Sequence, residues 1–150
     1  MKDQKMEEAV ELFAEVMILG RNRITNEIPD NLLNQISPEQ VELLDFLMKY
    51  GAMTSTEIQN RMLVGKSALS NRLKKMENNG YVKFVPSSED QRVKYVEITD
   101  EGKKSHERHT RLVNEYVSDL LQDINEEEVE QFIQTFHKIR SILQKGGQQK

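Results

Sequence analysis

The sequence predicts a mainly α-helical fold with one small β-hairpin, and three observations carry that expectation. Apolar residues recur at helical spacing through most of the 150 residues. One pair of β-branched and aromatic runs, Tyr81 to Val85 and Val93 to Ile98, interrupts the pattern. Long apolar stripes stand at both ends of the chain, outside the segment that holds those runs. With 37% hydrophobic and 31% charged residues, the chain has material for a core and is not of disordered composition. Its length suits one domain over 1–150.

The first helix is expected over about 6–28, where Met6, Val10, Phe13, Met17, Ile24 and Ile28 share a face. Gly20 weakens it without breaking it, and Pro29 ends it. Ser37-Pro38-Glu39-Gln40 starts the second helix: Ser37 caps, Pro38 fits the first position and Gln40 completes a capping box. Its apolar face is Val41, Leu44, Leu47 and Met48, and Gly51 sits where a left-handed cap is wanted. Thr54-Ser55-Thr56-Glu57 opens a short third helix with Ile58 and Met62 behind it. After Leu63-Val64-Gly65 a fourth helix runs over about 66–78 and ends at Asn79-Gly80, burying Leu69, Leu73 and Met76. The two strand runs follow, joined by a long polar tip from Pro86 to Arg92. Thr99 caps a fifth helix carrying Leu112, Val113, Tyr116, Val117, Leu120 and Leu121. Asn125 and three glutamates start the sixth, with Val129, Phe132, Phe136, Ile139 and Leu143 on one face. The tail from Gly146 to Lys150 is expected to fray.

Composition excludes several function classes. Cysteine is absent, so thiol nucleophiles, disulfides, Cys-ligated zinc and thiol redox sensing fall together. No stretch approaches the roughly 20 apolar residues of a membrane span, and the start MKDQKMEEAVE is too acidic for a signal peptide, so no membrane partner and a cytoplasmic location are expected. No nucleophile elbow, phosphate-binding Gly-rich loop or paired-carboxylate pattern occurs, and neither an enzyme nor a cofactor is expected.

The net charge of -4 conceals a division. From Arg61 to Lys94 there are eight basic and three acidic residues, a net +5; the rest of the chain holds 13 basic and 22 acidic. A positive segment in an acidic chain suits a local anion-binding surface, because salt screens the remainder. The fourth helix agrees. Its exposed faces offer Lys66, Ser67, Ser70, Asn71, Lys74 and Lys75, short hydrogen-bonding groups and cations rather than the Glu/Lys mixture of a solvated helix. Ser67, Ser70 and Asn71 can reach base edges or phosphates, and the lysines suit the backbone of a duplex whose major groove admits one helix. Helices three and four with their Gly-containing turn have the order of a helix-turn-helix, and the hairpin stands where a wing would. The fold expected is therefore a winged helix-turn-helix with long terminal helices.

These residues carry a specific resemblance. Lys66-Ser67-Ala68-Leu69-Ser70-Asn71-Arg72-Leu73, then Met76-Glu77-Asn78-Asn79-Gly80-Tyr81-Val82, and then the stretch from Glu89 to Gly102 with Asp90-Gln91-Arg92 and Ile98-Thr99-Asp100-Glu101-Gly102, resemble the MarR family of bacterial transcription regulators. The one departure, Ile98 for Leu, is conservative. The motifs cover about 54–102, and the order of elements extends the likeness to nearly the whole chain.

The resemblance implies a repressor that binds double-stranded DNA at a palindromic operator as a homodimer. A DNA-binding lobe at about 37–98 would be flanked by dimerisation helices at about 6–28 and 99–144. It assigns Arg92 to the minor groove from the wing tip with Asp90 steering it, and Ser88 and Lys94 complete the contact set. The terminal stripes are more than one small lobe can bury, which also suits a second copy. Effectors in this family lie between the lobe and the dimer helices, and Phe13, Met17 and Met48 are the pocket liners this suggests, methionine being adaptable.

His106 and His109, spaced i, i+3 beside Glu107, and His137 could in principle hold a metal, but no fourth ligand is identifiable and Lys103, Lys104 and Arg108 flank them. Solvated surface histidines are expected instead. The rival function is a protein-binding adaptor that kept the winged helix and lost DNA, for which the +5 segment has no use.

Overall fold

The computed structural model describes residues 1–28 and 36–146. Within them the order is α1 (Lys2–Glu27), α2 (Pro38–Tyr50), β1 (Met53–Thr54), α3 (Ser55–Met62), α4 (Lys66–Asn78), β2 (Val82–Pro86), β3 (Lys94–Ile98), α5 (Asp100–Leu120) and α6 (Glu126–Gly146). Mainly helical with a small antiparallel sheet, the chain has the expected fold class. Pro29, the expected stop for α1, lies outside the described residues, as does the tail beyond Gly146. Two compact units, Met1–Asn114 and Glu115–Lys150, divide the chain.

Local chemistry sets the helix starts. The Gln40 amide donates to Ser37 Oγ at 3.2 Å while the Ser37 amide donates to Gln40 Oε1 at 3.3 Å, with Pro38 at the first position. Thr54 and Glu57 repeat the reciprocal box for α3, and Asn125 with Glu128 does so for α6. Each box satisfies two amides that a helix start leaves bare.

The core of the first unit sits between α2, α3, α4 and the sheet. Leu43, Leu44, Leu47, Ile58, Leu69, Leu73, Met76, Val82 and Val96 are all 2% exposed or less. Burying one such side chain stabilises by about 1.5–3 kcal/mol. In α2 the stripe is Gln40, Val41, Leu43, Leu44 and Leu47; Met48, expected on this face, is 44% exposed. The helix turns its 40-43-44-47 ridge inward, and Met48 falls about 100° past Leu47, beyond the ridge. Gly51 closes α2 with the positive φ wanted there (78°), although its ψ of -163° lies outside the left-handed helical well expected.

The sheet runs β1-β3-β2, all antiparallel. Strand β1 went unread in the sequence: it is two residues long, Met53 opposite Val96 and Thr54 opposite Tyr95, and Thr54 also caps α3. The hairpin strands begin one residue later than expected, β2 because Tyr81 is used in the turn that closes α4 and β3 because the Val93 amide closes the tip turn on the Asp90 carbonyl. The Tyr81 amide donates to the Met76 carbonyl and that of Gly80 to Glu77, both at 2.9 Å, with Gly80 at φ 79°, a Schellman closure.

The hairpin is locked to the start of α5. The Thr99 amide donates to the Tyr81 carbonyl at 3.0 Å, its hydroxyl donates to the Gly80 carbonyl and accepts from the Gly102 amide at 3.0 Å. Gly102 passes so close that a Cβ there would stand 2.2 Å from the Tyr81 carbonyl oxygen.

The terminal helices differ from this core. No residue of α1 or α6 is buried. Along α6 Phe132 and Phe136 stack with centroids 4.1 Å apart, yet Phe132 remains 59% exposed.

Candidate nucleic-acid interface

Helix α4 sorts its residues by periodicity. Leu69, Leu73 and Met76 at i, i+4 and i+7 enter the core, so Lys66, Ser67, Ser70, Asn71, Lys74 and Lys75 are turned to solvent, and all six are exposed. Among the described residues none of the six is taken up in an ion pair. The N-cap is Gly65 with no side-chain cap, and the first turn carries no acid. The α4 amide end therefore keeps its positive field for an incoming anion.

The wing tip is fixed by its own hydrogen bonds. The Ser87 amide donates to Val93 O at 2.8 Å, the Val93 amide to Asp90 O at 3.0 Å and the Glu89 amide to Ser87 Oγ at 3.2 Å. At the tip, Asp90 receives three bonds from Arg92: from its amide to Oδ1 at 3.0 Å, from Nε to Oδ1 at 3.2 Å and from a terminal guanidinium nitrogen to Oδ2 at 3.3 Å. These bonds, the side-chain ones first and the amide second, hold the Asp90 carboxyl below its usual range. The Arg92 side chain is nonetheless 91% exposed. It is oriented and still available, which is what insertion into a narrow groove of negative potential requires. Ser88 and Lys94 are exposed on the tip and on β3.

Two cations of the +5 segment are engaged elsewhere. Lys83 pairs across the strands with Glu97 at 3.6 Å, and the Arg61 guanidinium lies 3.9 Å over the Tyr50 ring, tying α3 to α2. One cation that sequence reasoning left out of the site lies next to two of its candidate residues, Asn71 and Lys75. Arg72 lines a notch of about 290 Å3 between the start of α2 and α4, with Ser37, Glu39, Gln40, Asn71 and Lys75. Its signal was the charge count of the segment, but without the fold its side of α4 could not be matched to α2.

The remaining candidates separate. Phe13 and Met17 on α1 and Met48 on α2 are 53%, 55% and 44% exposed. His106 is not the solvated histidine expected: its side chain is only 13% exposed and Nε2 meets Asp45 Oδ1 of α2. One turn on, burial first and the charge of His106 second push the His109 imidazole below its ordinary range, with Asp45 opposing. Among the described residues no group of three or more His, Cys, Asp or Glu could hold a metal ion, and no helix is long and apolar enough to cross a membrane.

Comparison with known proteins places these features in context. The sequence profile of the MarR family matches residues 36–94. The chain is similar to the HTH-type transcriptional regulator YdgG of Bacillus subtilis (strain 168), 34% identical over 149 residues, 98% of this chain and 97% of that protein. A MarR family protein from Bacillus stearothermophilus has the same fold, with a TM-score of 0.75 at 22% identity over 96% of this chain and 99% of the other. Staphylococcus aureus MarR, solved in complex with salicylate and kanamycin, gives 0.73 at 22% identity over 95% and 96% of the two chains.

Proposed function

The chain belongs to the MarR family of transcriptional regulators, and from that premise we propose that it is a cytoplasmic, homodimeric repressor that binds a palindromic DNA operator and answers to a small-molecule effector. One observation carries the DNA reading: the exposed face of α4 consists of short polar groups and unpaired cations, followed by an oriented and exposed Arg92. In this reading α4 lies in the major groove, with Ser67, Ser70 and Asn71 at base edges and Lys66, Lys74 and Lys75 at phosphates. Arg92 enters the minor groove, and Ser88 and Lys94 hold the wing against the backbone. Two copies present two such faces about one helical turn apart, hence a palindrome.

The exposed apolar faces of α1 and α6 support pairing with a second copy. The effector rests on the Staphylococcus aureus neighbour, which was solved with salicylate and kanamycin. Phe13, Met17 and Met48 are the residues whose substitution tests it, by asking whether an effector still releases DNA.

The deciding experiment is selection of bound genomic fragments, followed by titration of the best fragment at several salt concentrations. Affinity that falls steeply and log-linearly with salt is expected. Absence of both fragment enrichment and retention on heparin would turn the assignment to the protein-binding adaptor. Substituting Ser70 and Asn71 should change the selected sequence; an unchanged preference would move base reading elsewhere.

A further inference from the structure

The turn between α3 and α4 is built against the conformational preferences of its residues. Leu63, the C-cap of α3, sits at φ 53°, ψ 43° in the left-handed region, and it has the one positive φ of a non-glycine residue among the described residues. Two positions later Gly65 adopts φ -66°, ψ 151°, a conformation open to every residue, with empty space where a Cβ would stand. The residue free to be left-handed is thus not at the left-handed position, and a side chain that disfavours that geometry occupies it.

Nor does the core explain Leu63. Met62 and Val64 on either side pack against the core, whereas Leu63 is 90% exposed. Glycine or asparagine would relieve the backbone and remove an uncovered isobutyl group from water. The turn bears both costs in the folded chain alone. Its surroundings indicate what would cover the side chain. Leu63 lies between Arg61 and Lys66 in the +5 segment, and the chain bounds its Cα to within about 11 Å of that of Lys66. A polyanion drawn to the first turn of α4 comes within reach of the Leu63 side chain. Duplex DNA has apolar groups to meet it there, the thymine methyl in the major groove and the deoxyribose carbons along its rim.

We infer that Leu63 is a DNA-contacting residue whose exposed side chain is covered by an apolar group of the duplex, a thymine methyl or a deoxyribose, when α4 enters the major groove. The inference rests on the DNA-binding reading and adds an apolar contact to a face otherwise polar and cationic. It also accounts for a leucine kept where the backbone favours glycine.

The test is Leu63→Gly, with Leu63→Asn as a second variant that also tolerates the left-handed region. Thermal unfolding and operator affinity should move in opposite directions. The midpoint of Leu63→Gly stays or rises, while its dissociation constant on the selected operator rises about three- to tenfold, the effect of losing one apolar contact. Replacing operator thymines one at a time by deoxyuridine separates the two DNA groups. A wild-type penalty at one position that Leu63→Gly does not share identifies the methyl; equal behaviour on every duplex, with the variant weaker throughout, identifies the sugar. Wild-type affinity retained by both variants would overturn this inference and leave the DNA-binding reading standing. A fall in the midpoint of Leu63→Gly would overturn it in favour of a structural role, and failure of the wild-type chain to bind DNA would overturn both readings together.

Discussion

Arg92 gives its amide and two guanidinium nitrogens to the Asp90 carboxylate, at 3.0, 3.2 and 3.3 Å, yet nine-tenths of its side chain faces solvent. An exposed ion pair adds little to folding, so the arrangement orients a cation. Arg92→Ala should leave the thermal midpoint unchanged and weaken operator binding by about 1–3 kcal/mol, as loss of a groove contact does. Asp90→Ala keeps the cation but frees it, and should cost less affinity than Arg92→Ala. A double-mutant cycle in gel-shift titrations checks both; additive losses would show that Asp90 does not act through Arg92. Arg92 holds the Asp90 carboxyl below its ordinary 3.8. The pair therefore stays intact above that value, and the Arg92 contribution should be flat from pH 5.5 to 8.

Gly102 lets the start of α5 pass the end of α4, with a would-be Cβ 2.2 Å from the Tyr81 carbonyl oxygen and 2.9 Å from Ile98 Cγ1. The first of these atoms is backbone and cannot swing aside. Gly102→Ala must push α5 off the Thr99 junction, and a loss of about 2 kcal/mol or more is expected from such overpacking. Urea unfolding measures it. Gly65→Ala, where the space is empty and φ is negative, is the control and should change stability by less than about 1 kcal/mol.

The features that could be read from the sequence are those whose causes are local. Ser37-Pro38, Thr54 and Asn125 announce helix starts because the cap and its partner lie three residues apart. The α4 face could be read because Leu69, Leu73 and Met76 fix the helix's rotation, which leaves the short polar and cationic residues on the outside. Features set by distant contacts could not. Strand β1 exists only because β3 lies beside it, and the partner of His106 is Asp45, 61 residues away. Periodicity alone puts Met48 with the core, because steps of three and four from Val41 are equally available until packing chooses. Leu63 carries no signal of its left-handed backbone, since the sequence there points to Gly65.

Acid should weaken the fold through His109. Burial, then the charge of His106, hold its folded pKa below the ordinary 6.5, against the pull of Asp45. The unfolded chain therefore takes up a proton near pH 6.5 and the folded chain only at lower pH. Between those values the unfolded state binds more protons, so stability rises with pH and declines as pH drops below about 6.5. Thermal midpoints should fall from pH 7.5 to 5.5, and His109→Gln should flatten the dependence. An unchanged slope in the variant would assign the acid sensitivity to other groups.

The sixth helix bears directly on the proposed dimer. Phe132, Ile142 and Leu143 are 59%, 68% and 71% exposed, and on α1 Val10 and Ile18 are 61% and 62% exposed. Apolar groups in such number on two helices with no buried residue would favour association in water. Sedimentation of the wild-type chain should therefore report a dimer. Ile142→Lys with Leu143→Lys places two charges where the partner would desolvate them, a cost of several kcal/mol, and should yield a folded monomer. Because one DNA-binding lobe engages only one half-site, operator affinity should drop by about a hundredfold or more while the salt slope becomes shallower. A variant that still sediments as a dimer would remove this end of α6 from the interface. A monomer with wild-type operator affinity would show that binding does not need two copies.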